Sequence, residues 1–258
     1  MLLAIAVGNT NLVLGVFNGT VLVQSWRLQT VRERTLDELG LLVDGLFAHG
    51  GVRHADITGI VLGSVVPPVT GTIRGMIDRY FGLEPLIVDP VGNSGMPIKY
   101  DNPAEVGADR IVNAIAAFEQ FGRAQALPLI VCDFGTATTL DAVSAAGEYL
   151  GGAICPGVNI SADALFQRAA RLPRIDVRKP AQVVGRTTVG AMESGLFYGY
   201  VGMVEGLVRR MRDELGGRAV CVATGGLASV IAPETNLIDH IDIDLTLHGL
   251  RMVWERNT

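Results

Sequence analysis

LIVCDFGTATTLDAVS, residues 129–144, is the stretch on which the reading of this chain turns. Four apolar residues, Leu129 to Cys132, read as a buried strand that delivers Asp133 into a turn carrying Gly135, Thr136, Thr138 and Thr139, and a second strand follows. Such a turn suits phosphate. Glycine lets the backbone come close, threonine hydroxyls and turn amides donate to phosphoryl oxygens, and the carboxylate can hold a cation that screens them. A single copy would equally describe a β-hairpin with a polar turn, but residues 3–17, LAIAVGNTNLVLGVF, repeat the pattern. Laying Gly8 on Gly135 pairs Ala6 with Asp133, Asn9 with Thr136 and Asn11 with Thr138. Thr20 to Trp26, behind the Asn18-Gly19 turn, matches Glu148 to Ile154 behind Gly147, so each half opens with three strands joined by tight hairpins. This duplication predicts two related α/β domains, 1–122 and 123–258, facing each other across a cleft.

The bounds of the chain agree with that division. Its 258 residues are 49% hydrophobic and 18% charged, the balance of a well-buried globular protein. A net charge of −5 leaves no basic footprint for nucleic acid or a membrane surface. Cys132, Cys155 and Cys221 sit in apolar runs without metal-type spacing, which suits reduced, buried thiols in a cytoplasmic protein. The opening MLLAIAV is apolar, but no basic segment precedes it and an Asn/Thr turn follows at once, so neither a signal peptide nor a membrane span is expected.

Outward from the two turns, apolar spacing predicts helices over 35–49, 69–81, 191–215 and 246–256, with strands over 59–66, 86–88 and the run into Pro156. The segment MPIKYDNPAEVGADRIVNAIAAFEQF, 96–121, places Asp109 and Arg110 in the first turn of a helix. A carboxylate there complements the helix dipole. It could also accept a hydroxyl proton while Arg110 and the first-turn amides hold an anion. The loop 174–190 offers Arg178, Lys179, Arg186, Thr187 and Thr188 to a ligand or simply to solvent. Gly195, Gly199, Gly202 and Gly206 form a ridge for a close neighbour, within the domain or on another subunit. Thr224, Gly225 and Gly226 end a strand in a turn open enough for a nucleobase or ribose.

Together the parts resemble the type III pantothenate kinases, of the sugar kinase and actin superfamily, whose halves are duplicated ribonuclease-H-like domains around a nucleotide-binding cleft. The carriers are VGNTN at 7–11, YDNP at 100–103, GADR at 107–110, DFGTATT at 133–139, RTTVG at 186–190 and TGGL at 224–227. The resemblance runs over essentially the whole chain. It implies ATP-dependent phosphorylation of pantothenate to 4'-phosphopantothenate, the first step of coenzyme A biosynthesis, by a cytoplasmic homodimer. It further implies Asp109 as general base and Tyr100, Gly107, Ala108, Asp109, Arg110 and Thr188 around pantothenate. ATP would meet Ala6, Val7, Gly8, Asn9, Thr10, Asn11, Leu12 and Val13, with Thr136 on phosphate and Gly225 and Gly226 beside the adenosine. Mg²⁺ would accompany ATP, and Asp133 would bind a monovalent cation, K⁺ or NH₄⁺.

One position departs from the family. Its first phosphate turn carries an aspartate two residues before the glycine, where this chain has Ala6. An introduced inactivating change, a natural divergence that recruits another group, and a non-catalytic ATP- or pantothenate-binding regulator of the same fold each account for it. The retained Asp109 and Asp133 speak against the regulator, and impaired kinase activity is the expectation.

Overall fold

Alternation of large and small residues decides how the first strands are covered. The computed structural model describes residues 1–258. It opens with β1 (Leu2–Val7), β2 (Asn11–Asn18) and β3 (Val21–Gln29), joined antiparallel, and β4 (Gly59–Ser64) and β5 (Leu86–Ile87) add parallel strands on the other side of β1. On one face of this sheet Leu3, Ile5, Leu12, Leu14, Ile60 and Leu62 form a core with α1 (Leu36–Gly50) and α2 (Pro67–Phe81). Thr35 starts α1 in a capping box with Glu38, which satisfies amides that the first helical turn leaves open.

The opposite face interleaves Ala4, Ala6, Gly15, Gly59 and Gly63 with larger residues, and that is where the C-terminal helix α7 (Leu245–Asn257) lies. A Cβ on Gly15 would come within 2.7 Å of Leu247, one on Gly63 within 2.8 Å of Leu250, and one on Gly59 against the Trp254 ring. The strand glycines are therefore grooves for α7 side chains. Gly249 of α7 lies against the Val112 carbonyl of α3 (Ala108–Ala117), and the Thr246 hydroxyl donates to Asn113 Oδ1 at 2.7 Å.

The second sheet repeats the first. Strands β6 (Leu129–Phe134), β7 (Ala137–Val143), β8 (Tyr149–Pro156), β9 (Val220–Thr224) and β10 (His240–Ile241) run in the order β10-β9-β6-β7-β8, with β6 antiparallel to β7 and parallel to β9. Its core joins Ile130, Cys132, Phe134 and Leu140 to α4 (Val158–Arg168) and α5 (Thr188–Glu214). A four-residue helix α6 (Ala228–Ile231) follows β9; it and the two-residue β10 are too short to leave an apolar period in the sequence.

By contacts the chain forms two compact units. Unit 1 is Met1–Met96, Asp101–Ala116 and Leu245–Thr258; unit 2 is Pro97–Tyr100 and Ala117–Asp244. The contiguous division at residue 122 differs from this partition because α7 fills the glycine face of the first sheet, while Pro97–Tyr100 joins β8 through the Lys99 N–H to Tyr149 carbonyl and Tyr149 N–H to Pro97 carbonyl bonds, both 2.8 Å. For the glycine ridge of α5 the sequence leaves two settings open, a neighbour within the domain or one on another subunit. A Cβ at Gly195, Gly199 or Gly202 would meet nothing within 4 Å, so the ridge is not a packing groove within its own unit.

Two expectations follow. Gly249→Ala pushes a methyl into the Val112 carbonyl and should lower stability by about 1–3 kcal/mol, seen as a reduced urea midpoint with an unchanged slope; wild-type stability would contradict the α7 docking. Cys132 and Cys221, both fully buried with sulfurs 3.6 Å apart, should resist thiol reagents until the protein unfolds. The Cys221 sulfur beside it and burial push the Cys132 thiol well above its ordinary range, so little thiolate is present to react. Rapid labelling of either in the native protein would refute this.

Candidate functional site

Each unit gathers its polar turns at one edge of its sheet because the first and fourth strands are parallel. In such sheets ligands bind beyond the carboxyl ends of the strands. In unit 1, β1 ends at Val7 and the chain turns through Gly8, Asn9 and Thr10, with the Gly8 N–H donating to the Asn11 carbonyl at 2.9 Å. Thr30 anchors the turn: its hydroxyl donates to the Gly8 carbonyl at 2.7 Å and its N–H to the Thr10 carbonyl at 2.9 Å. Asn9 and Thr10 are exposed, Leu12 is buried, and Val13 is half-buried on β2. The end of β4 reaches the same edge, where the Val65 N–H donates to the Val7 carbonyl at 3.0 Å.

The GADR segment lies against that strand end. A Cβ on Gly107 would stand 3.4 Å from Val65 and only 2.6 Å from Asp109 Oδ1. Glycine at 107 thus leaves the space that the Asp109 carboxylate folds into. The Arg110 N–H donates to the same oxygen at 2.8 Å. Asp109 and Arg110 are half-buried in the first turn of α3, and Ala108 is buried behind them. This arrangement holds a carboxylate in one orientation at a helix start without sealing it from a ligand.

In unit 2, Asp133 lies opposite Thr139 on β7 and Thr224 on β9. Gly225, at φ +91°, brings its backbone against Asp133 Oδ1 and Phe134, a fit only glycine allows. The Gly135–Thr136 carbonyls pack against Gly157, which caps the N-terminus of α4. Thr136 is exposed. Thr138 is not: it is fully buried, and its hydroxyl has no partner in the core. Thr139 donates to Asp141 Oδ2 at 3.1 Å. Of the turn's three threonines, then, only Thr136 keeps a hydroxyl on the open side.

The two half-sites share one frame up to their turns. β1 and β6 are both six residues long with the same burial sequence, in which only the fifth residue is partly exposed, Ala6 in one and Asp133 in the other. This supports the pairing of those two positions. Beyond the turns the pairing shifts, because Ala6 faces Val13 whereas Asp133 faces Thr139. The first turn is one residue longer, so Asn11 answers to Ala137 rather than to Thr138.

Of the remaining candidates, Tyr100 is half-buried in unit 2 and Thr188 is exposed at the start of α5, where its neighbour Thr187 caps the helix on the Gly190 N–H at 3.0 Å. Thr188 takes no part in the Asp133–Gly225 contacts. Arg178 and Lys179 are engaged at 2.8 Å with Glu193 and Glu234, so they hold the loop down rather than reach for a ligand. The buried pair Asp141 and Tyr149 escaped the sequence reading. Its signal was a carboxylate, Asp141, set among the apolar residues Leu140, Ala142 and Val143.

The type III pantothenate kinase family model matches residues 2–210. A type III pantothenate kinase of Moorella thermoacetica is 53% identical over all of both chains. That of Myxococcus xanthus is 54% identical, covering 100% of this chain and 99% of the relative, and that of Koribacter versatilis is 52% identical, covering 100% and 96%. Solved structures share the fold at low identity. The ethanolamine utilization protein EutJ of Carboxydothermus hydrogenoformans aligns over 97% of this chain and 89% of its own with a TM-score of 0.56 at 13% identity. The inorganic polyphosphate/ATP-glucomannokinase of Arthrobacter aligns over 99% and 98% with a TM-score of 0.51 at 11% identity. With two sheets of the same strand order and sense, the architecture is that of duplicated ribonuclease-H-like domains. Matched through both half-sites and along its whole length, this chain belongs to the type III pantothenate kinase family.

Proposed function

We propose that Asp109 is the general base in the family's reaction, the ATP-dependent phosphorylation of pantothenate that begins coenzyme A synthesis. The observation that carries this is the Asp109 carboxylate, folded over Gly107 and held by the Arg110 amide. In this reading Asp109 takes the proton from the primary hydroxyl, the freed oxygen forms the new bond to the γ-phosphorus, and the bond to the β-phosphate oxygen breaks to release ADP. Arg110 and the first amides of α3 hold the pantothenate carboxylate. Tyr100, Gly107, Ala108 and Thr188 are the further pantothenate contacts in this reading.

The turn through Ala6–Val13 receives ATP phosphates, Thr136 donates to a phosphoryl oxygen, and Gly225 and Gly226 lie along the adenosine. Asp133 offers a single carboxylate with the Ala137 carbonyl nearby, and no cluster of three or more acidic, histidine or cysteine side chains surrounds it. That donor set suits K⁺ or NH₄⁺. Such an ion would supply positive charge beside the phosphates. The first turn offers Mg²⁺ no carboxylate, since Ala6 holds that place, and impaired turnover is the consequence. A binding protein without catalysis is the weaker reading, because a pure binder has no need of an oriented base.

We further read the chain as a cytoplasmic homodimer. No helix is long and apolar enough to cross a membrane. Support for self-association comes from the open glycine face of α5 and from Ile160, Leu165 and Phe166, which α4 leaves exposed.

Asp109→Asn should lower kcat by about 10²–10⁴-fold with little change in the Kd for pantothenate; unchanged kcat removes Asp109 from the chemistry. Asp133→Asn should abolish activation by K⁺, and an undiminished K⁺ response would mean the ion sits elsewhere. Sedimentation at micromolar concentration should give twice the 27.4 kDa chain mass, whereas a mass of 27.4 kDa would rule out the dimer.

A further inference from the structure

Asp141, in the middle of β7, is 1% exposed and lies outside the chemistry assigned above. A buried carboxylate is costly unless it is well hydrogen-bonded. Asp141 Oδ1 accepts from the Tyr149 hydroxyl at 2.7 Å and Oδ2 from the Thr139 hydroxyl at 3.1 Å. Tyr149, fully buried, is tied to a second segment through its backbone. It takes the Lys99 N–H and gives its own N–H to the Pro97 carbonyl, both at 2.8 Å, so that Ile98 bridges to it in parallel.

The pairing of β7 with β8 slips at this place. Ala142 faces Gly151 but Val143 faces Tyr149, leaving Leu150 as the extra residue of a bulge. Bulges of this kind re-aim neighbouring side chains. The residue re-aimed against is Tyr100, which directly follows the pinned segment. A Cβ on Gly151 would stand 3.3 Å from two Tyr100 ring carbons, and Gly151 has φ +114°, a conformation that other residues rarely adopt. The Tyr100 and Tyr149 rings lie 6.4 Å apart at 52°.

We propose that Asp141, acting through Tyr149, is a positioning residue for Tyr100: it locks the β8 bulge on which the Tyr100 segment hangs and so sets the affinity for pantothenate. This rests on the placement of Tyr100 in the pantothenate pocket. The hydroxyl–carboxylate bond fixes how the Tyr149 ring is turned, which an apolar pair would leave free, and small errors of position weaken binding steeply.

Calorimetric titration of pantothenate and of ATP separates positioning from general damage, and it does not depend on turnover. Tyr149→Phe and Asp141→Asn should each raise the Kd for pantothenate about tenfold, as expected for loss of one hydrogen bond to a charged group, with the Kd for ATP within about twofold. In a Tyr100→Ala background Tyr149→Phe should add nothing, because the residue it positions is gone. Should the buried-pair variants fail to fold, Gly151→Ala raises the Tyr100 ring without touching Asp141 and should give the same pantothenate-selective loss. Equal loss of both ligands, or an additive Tyr149→Phe effect in the Tyr100→Ala background, overturns the positioning role while leaving the pocket intact. A Tyr100→Ala variant that binds pantothenate normally overturns the placement of Tyr100 and the inference with it.

Discussion

Parallel pairing of the first strand with the fourth is the constraint on which both units depend. β1 and β6 each run antiparallel to the strand that follows and parallel to a later one, β4 or β9. A hairpin turn and the end of a distant strand are thereby forced to the same edge of the sheet. In unit 1 this brings Gly8 and Val65 together and gives the GADR turn something to lean on. In unit 2 it sets Gly225 against Asp133. Phosphoryl transfer asks for positioned donors and neutralised charge more than for covalent chemistry, so an edge that collects turns and carboxylates is a suitable starting point.

How tightly these elements can approach is decided by where Cβ atoms are missing. Gly15, Gly59 and Gly63 admit α7 to the first sheet, and Gly107 admits the Asp109 carboxylate. Gly225 and Gly151 combine close approach with positive φ, so an added methyl there would meet both a neighbour and backbone strain. The glycines of α5 behave differently, since no part of their own unit comes near Gly195, Gly199 or Gly202.

What could be read from sequence was what depends on local pattern. Hairpins announced by Asn18-Gly19 and Gly147, the Thr35 helix start and the placement of Asp109 in a first turn all follow from spacing and turn chemistry, and the structure has them. The pairing of Ala6 with Asp133 was legible because two six-residue strands keep the same period. Illegible were features set by distant partners. The one-residue difference between the turns shows only in the strand register, and the return of α7 to the first unit depends on grooves made by three glycines in two different strands. Thr138 looked like a phosphate donor because period-2 alternation does not say which face of β7 is core. Asp141 and Tyr149 lie eight residues apart in sequence and meet only because β7 and β8 pair with a bulge.

The central claim is that this chain carries a complete pantothenate kinase frame with one carboxylate missing from the first half-site. Its most direct test is the rate of ATP-dependent phosphorylation of pantothenate by this chain and by Ala6→Asp, with Mg²⁺ and K⁺ present. The partly exposed fifth residue of β1 occupies the place that Asp133 holds in β6, so an aspartate there should raise kcat by tenfold or more, about 1.4 kcal/mol or greater in transition-state stabilisation. An unchanged or lower rate in Ala6→Asp would contradict the account, since position 6 would then not be the place from which the carboxylate acts.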